Sequence, residues 1–277
     1  MNNLIELAYR VDPALWVDRE LGIKPSDWQK QLLRAPRGAQ VAVLTARQVG
    51  KTTAASWAMA HTMITQPGSL SVIACPAQRQ SAEAVRRIKD YLVKVGWKLS
   101  VENVYGLELE NGSRVLALPG SDDSIRGLTV NGWIVADEAA RLKDDMIAAL
   151  RPMRARTNAR FVMLSTAWSR TDPFWTVWSN EDPSWLRLKA TADVDGLFPQ
   201  AYLDQERQAL GEADFNREYL GIPGGSNVSP FTWDLYERAT RVQVPLVPAG
   251  SDFGPAAALS AAPLANPFQS FRVRAFR

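Results

Sequence analysis

Thr45-Ala46-Arg47-Gln48-Val49-Gly50-Lys51-Thr52-Thr53 is the stretch whose reading decides the fold. It follows the apolar run Val41-Ala42-Val43-Leu44 and leads into Ala54-Ala55-Ser56-Trp57-Ala58-Met59-Ala60. A buried strand, a tight polar loop and a helix, in that order, are the setting of a phosphate-binding P-loop. Gly50 lets the backbone close around a phosphate, with amide N–H groups facing it at a helix N-terminus. Lys51 is placed to reach the β- and γ-phosphates, and Thr52 to offer its hydroxyl to Mg²⁺. Gln48 and Thr53 flank them as further nucleotide contacts. One departure stands out: the common pattern puts its first glycine at position 45, which here is Thr45. The Gly-Lys-Thr tripeptide alone is weak evidence, so the reading needs a second site.

That second site lies at Gly132-Trp133-Ile134-Val135-Ala136-Asp137-Glu138, an apolar strand ending in two adjacent carboxylates. Asp137 is suited to hold Mg²⁺ and Glu138 to orient or deprotonate the attacking water. A strand followed by a charged helix cap would give the same letters. Between Lys51 and Asp137, however, lie one strand, one helix and one hairpin. Residues 70–75 are a buried run stopped by Pro76, residues 78–95 are helical, and residues 107–117 alternate around Asn111-Gly112. The order strand, P-loop, helix, strand, helix, strand, Asp-Glu predicts an α/β P-loop NTPase of the ASCE or RecA-like kind, with a mostly parallel sheet flanked by helices.

Working outward, residues 4–21 are predicted as one helix, and Ser26 or Asp27 as the cap of the next. In that second helix Gln29 is either an adenine-reading amide or an ordinary surface glutamine. Arg86, Arg87 and Lys89 form a solvated helix face or a nucleic-acid contact. His61 reads as a core or boundary residue and Cys75 as a small buried hydrophobe. Residues 160–167 make a further buried strand with Ser165 and Thr166 at its tip, where ligands of open parallel sheets sit. Residues 185–191 are another strand candidate, and residues 199–220 one or two helices. Ile222-Pro223-Gly224-Gly225-Ser226 breaks the pattern, giving a domain over residues 1–222 and a linker with a short remainder over residues 223–277.

Composition sets the outer limits. At 46% hydrophobic and 22% charged residues the chain is globular rather than disordered, and its net charge of +3 permits nucleic acid without requiring it. A single cysteine and a single histidine exclude an internal disulfide and a Cys- or His-based metal cluster. No apolar run approaches the roughly 18 residues of a membrane span, which predicts a soluble, intracellular protein.

As a set, these motifs resemble the ATPase domain of a large terminase subunit, the motor that packages DNA into tailed-phage heads. The resemblance rests on Ala46-Arg47-Gln48-Val49-Gly50-Lys51-Thr52 without a leading glycine, on Trp28-Gln29 and on Arg126-Gly127. It continues through Ile134-Val135-Ala136-Asp137-Glu138-Ala139-Ala140, Leu164-Ser165-Thr166-Ala167 and Glu218-Tyr219-Leu220-Gly221. It implies ATP and Mg²⁺ as cofactors, phosphate binding by Gly50, Lys51 and Thr52, Mg²⁺ on Thr52 and Asp137, and water activation by Glu138. Further, it implies adenine reading by Gln29, a γ-phosphate contact by Arg47 and coupling to DNA movement by Thr166. Implied partners are double-stranded DNA, a portal protein, a small terminase subunit and further copies in a ring, in the host bacterium's cytoplasm and outside the mature virion. The departure is at the C-terminus. Gly250-Ser251-Asp252-Phe253-Gly254 looks like the first strand of the family's nuclease domain, with Asp252 as a vestigial metal ligand, but no acidic residue follows it. A two-metal centre needs several, so nuclease activity is expected to be absent. A helicase-like translocase and a silent remnant that only binds nucleotide or a partner are the competing expectations.

Overall fold

Apolar runs buried on both faces build the centre of the molecule. Four strands, β1 (Gln40–Thr45), β2 (Leu70–Ala74), β6 (Trp133–Asp137) and β7 (Arg160–Ser165), are buried almost throughout, as parallel strands covered on both sides must be. The computed structural model describes residues 2–118, 125, 127–180, 182–192 and 197–224, with residues 2–6 as backbone alone. The remainder over residues 225–277, and with it Asp252, lies outside the described residues, as does Arg126.

Among the described residues the sheet has eight strands in the order β3-β4-β5-β2-β6-β7-β1-β8. From β5 (Arg114–Leu118) to β8 (Trp185–Ala190) every pairing is parallel. β3 (Leu99–Asn103) and β4 (Gly106–Leu109) add an antiparallel margin. The fold is thus the expected α/β arrangement. β7 runs between β1 and β6, so the tip carrying Ser165 and Thr166 emerges between the P-loop and the acidic pair.

The period of two along each strand divides the core. Val41, Val43, Trp133, Val135, Val162 and Leu164 point into one layer. There they meet the helices α2 (Pro13–Glu20), α3 (Asp27–Leu33), α4 (Lys51–Thr65) and α5 (Gln78–Lys94). The alternate residues Ala42, Leu44, Ile134, Ala136, Phe161 and Met163 point into the other, where α6 (Asp144–Leu150) and α7 (Pro173–Ser179) cover them. His61 is buried, its ring Nε2 donating to the Tyr9 carbonyl at 2.6 Å, and Cys75 is buried with its thiol pushed up to about 12 by desolvation. Both fill the core, as expected.

Local structure departs from or adds to the sequence reading at three places. The helix over residues 4–21 is two helices, α1 (Asn2–Val11) and α2, because Pro13 has no N–H to continue the ladder. Asp12 caps the second one, accepting from Ala14 N at 3.0 Å. β3 was not foreseen: four of its five residues are exposed, so no apolar period marks it. Residues 199–220 form α8 (Gln200–Leu210), α9 (Glu212–Phe215) and a wide, π-type turn over Asn216–Leu220. Gly211, at φ 75°, separates the first two. Among the described residues no helix is long and apolar enough to cross a membrane.

Candidate active site

The loop between β1 and α4 shows why glycine is absent at position 45. Thr45 is still part of β1, in register with Ala190 of β8, and its buried hydroxyl points at the Ser165 carbonyl. Extended backbone does not require glycine. The left-handed positions come later, at Gln48 (φ 60°) and Gly50 (φ 83°). Such a conformation costs a residue with a Cβ about 1–2 kcal/mol. At Gly50 a Cβ would also stand 3.1 Å from Gln29 Nε2. No side chain caps α4, so its first-turn amides are available to an anion.

Opposite the loop, β6 delivers the two carboxylates. Asp137 Oδ2 accepts a hydrogen bond from Thr52 Oγ1, and Oδ1 accepts from Glu138 N at 2.9 Å. Burial pushes the Asp137 carboxyl up, while the Lys51 ammonium and the Thr52 hydroxyl pull it back. Glu138 turns left-handed (φ 52°, ψ 42°) and its Oε1 meets Lys51 Nζ at 2.7 Å. A glutamate held in that conformation is a form of strain that collects at active sites. The result is a pair of contacts between two loops, Thr52 with Asp137 and Lys51 with Glu138.

A hydroxyl and a carboxylate converging on one point are hard oxygen donors, and they fit Mg²⁺. Among the described residues no group of three or more His, Cys, Asp or Glu could cage a metal.

Gln48, Gly50, Lys51, Thr52, Thr53, Asp137 and Glu138 line one cleft of about 600 Å³, a volume within the range of small-molecule sites. Four residues that sequence reasoning missed or placed elsewhere join them: Arg79, Gln80, Glu83 and Arg87 of α5. Arg87 donates to Thr53 Oγ1 at 3.2 Å, so it belongs to this cleft rather than to a purely solvated face. A signal was available for Arg79 and Gln80, which start the helix just past the carboxyl end of β2.

Gln29, Arg47 and Thr166 are not lining residues of that cleft. Gln29 is buried, accepts from Ser26 N at 2.9 Å through Oε1, and turns its Nε2 toward Gly50. Arg47 is 63% exposed and lies 3.9 Å from Glu218. Thr166 is buried at the end of β7.

The family described as terminase large subunit, T4likevirus-type, N-terminal, matches residues 42–235. No curated protein matches. Among solved structures, the Thermus phage P74-26 large terminase ATPase domain is 18% identical with a TM-score of 0.67, covering 76% of this chain and 98% of that one. The HK97 bacteriophage large terminase is 17% identical with a TM-score of 0.63, covering 77% and 55%. The large terminase of a thermophilic bacteriophage in complex with ADP is 16% identical with a TM-score of 0.58, covering 72% and 53%. The chain therefore spans about half the length of the last two. At such identities the likeness shows the fold.

Proposed function

We propose a function from the premise that the chain belongs to the family of terminase large subunits, T4likevirus-type, N-terminal. It is an ATP-hydrolysing motor unit, residues 1–222, that drives double-stranded phage DNA into a procapsid. The observation that carries this is the paired contact of the two loops, Thr52 with Asp137 and Lys51 with Glu138. It supports this reading by setting an ammonium, a hydroxyl–carboxylate pair and a second carboxylate in one cleft, the groups that phosphate binding, Mg²⁺ binding and water activation call for.

The chemistry follows from the charges. The amides of the loop around Gly50 and the Lys51 ammonium bind the β- and γ-phosphates. Mg²⁺, bound at Thr52 Oγ1 and Asp137, would neutralise charge on the phosphate oxygens. Lys51 has two anionic partners, Glu138 and a γ-phosphate. When the phosphate takes Lys51, the Glu138 carboxylate is freed to accept the proton of the attacking water. Arg47 adds a second positive charge to the γ-phosphate, Gln29 reads adenine beyond Gly50, and Gln48 and Thr53 hold the loop's flanks. Thr166, at the tip between the P-loop and the acidic pair, passes the hydrolysis state toward DNA.

Portal protein, small terminase subunit and further copies in a ring are the proposed partners, and the host cytoplasm is the proposed compartment. Displacement of a third strand from blunt duplex DNA tests the motor. ATP-dependent stripping that Glu138→Gln abolishes is the expected result. Unwinding of a forked duplex without triplex displacement would instead place the chain among helicase-like translocases.

A further inference from the structure

One wall of the cleft takes no part in the proposed hydrolysis. It is the face of α5 on which Arg79, Glu83 and Arg87 follow one another at helical spacing. Arg87 is fixed there from two sides. Its Nε lies 3.6 Å from Glu83 Oε1, one turn back on the same helix, and its Nη1 donates to Thr53 Oγ1 of α4 at 3.2 Å. Glu83 Oε1 also accepts from Arg86 Nη2 at 3.1 Å, so that carboxylate is shared between two cations. A guanidinium has five N–H donors. Among the described residues Arg87 uses one of them in a hydrogen bond, the one to Thr53.

The Thr53 hydroxyl is left in a matching state. It accepts from Arg87, and among the described residues it donates to nothing. A hydroxyl that accepts keeps its own proton to give. Thr53 and Arg87 therefore set an O–H and several N–H donors side by side on the cleft wall.

Their position selects the acceptor. The uncapped first turn of α4 lies between two flanks. On one stand Asp137 and Glu138, tied to Thr52 and Lys51. The γ-phosphate belongs there, beside the group that activates water. On the other stand Thr53 and Arg87. A phosphate chain that crosses the helix end from Glu138 brings its α-phosphate to the α5 side. Charge divides the same way. Lys51 faces two carboxylates on the first flank, whereas Arg79 and Arg87 share Glu83 on the second, which leaves that flank a positive excess.

We propose that Arg87 and Thr53 are the α-phosphate contacts of the nucleotide, with Thr53 also positioning the arginine. This rests on the reading of the cleft as an ATP site. It adds the residues that hold the phosphate common to ATP and ADP, so their contribution is the same before and after hydrolysis.

Equilibrium binding of ADP and of ATPγS, with Mg²⁺, to the full chain tests this assignment. The proteins are wild type, Arg87→Ala, Thr53→Val and the double variant, each checked by thermal melting. Arg87→Ala is expected to weaken both nucleotides by the same factor, about tenfold, the scale of one charge-assisted hydrogen bond. Thr53→Val keeps the branched shape without the hydroxyl and should weaken both as well. Together the two changes should cost less than the product of their separate factors, because they act on one phosphate. The two diastereomers of ADPαS give a readout that packing alone does not move: the ratio of their affinities should change in Arg87→Ala. Should that variant fail to fold, Arg87→Met keeps the apolar stem and should show the same losses. Weakening of ATPγS alone would put Arg87 at the γ-phosphate and overturn the proposal. Unchanged binding, or a loss with the diastereomer ratio intact, would make Arg87 merely a structural partner of Glu83 and overturn it too. Wild-type protein that binds neither nucleotide would remove the ATP reading itself, and the α-phosphate contacts with it.

Discussion

At the scale of single residues, the cleft gives the charges of Lys51 and Glu138 partners within the protein, and in the proposed function a nucleotide replaces them. Lys51 meets Glu138 at 2.7 Å, and both side chains are largely buried. Removing one member of such a pair exposes the other to an unbalanced low-dielectric setting. Lys51→Ala should therefore abolish measurable ATP binding, seen by calorimetry. Glu138→Gln should bind ATP normally and lose about 10²–10⁴ in kcat, the range for a positioned general base. A Glu138→Gln protein that turns over at the wild-type rate would assign the base elsewhere. Most of this site was legible in the sequence, since Gly50, Lys51, Thr52, Asp137 and Glu138 are fixed by local motifs whose spacing needs no tertiary knowledge. Arg79 and Arg87 were not. Their meaning comes from packing between α5 and the P-loop, and a lone charge on a helix carries no mark of what faces it.

Elements show the same division between local and distant information. Buried parallel strands announce themselves as apolar runs, whereas β3, exposed along most of its length, has no such run to read. The break between α1 and α2 was written in Asp12-Pro13 but competed with the amphipathic spacing on either side of it. Asp12 caps α2 and pairs with Arg34 through two contacts of 3.0 and 2.7 Å. The Arg34 guanidinium, more than the α2 amides, holds the Asp12 carboxyl below its usual range. A depressed folded value means that the contribution is complete above the unfolded value of about 3.9. It is lost as pH falls through the lower, folded one. Asp12→Ala should cost about 1 kcal/mol at neutral pH, and the gap to wild type should narrow in strongly acidic melts. A gap that stays constant with pH would show that the charge is irrelevant there.

Gly221 belongs to this scale as well. It closes the turn that carries Glu218, at φ 69°, and a Cβ there would stand 2.8 Å from Thr191 Cγ2 and 2.9 Å from Leu44 Cδ2. Leu44 is on β1, one residue before the end of the strand that feeds the P-loop. Left-handed backbone and overpacking together predispose Gly221→Ala to a loss of about 2–4 kcal/mol. Thermal melting should show it, with weaker ATP binding because the P-loop strand must shift. An Ala variant as stable as wild type would mean that the turn is not seated on β1 in solution.

For the whole molecule, the arrangement puts three strand tips, those of β1, β6 and β7, side by side at one end of the sheet. That is where open parallel sheets place ligands. It makes the order of strands, rather than any one residue, the reason the sites meet. The sequence order of elements made the α/β class readable, but the insertion of β7 between β1 and β6 is a pairing choice with no local signature. Double-stranded DNA is the partner expected to bind the assembled motor, and electrostatic attraction to phosphate makes that binding weaken with salt. The proposed motor hydrolyses ATP with Glu138 as its base. Steady-state ATP hydrolysis by the purified chain, with and without duplex DNA and beside Glu138→Gln, tests it most directly. Mg²⁺-dependent turnover, raised by DNA and abolished in the variant, is the expected result. ATP binding without turnover in the wild type, in the presence of Mg²⁺ and DNA, would contradict it.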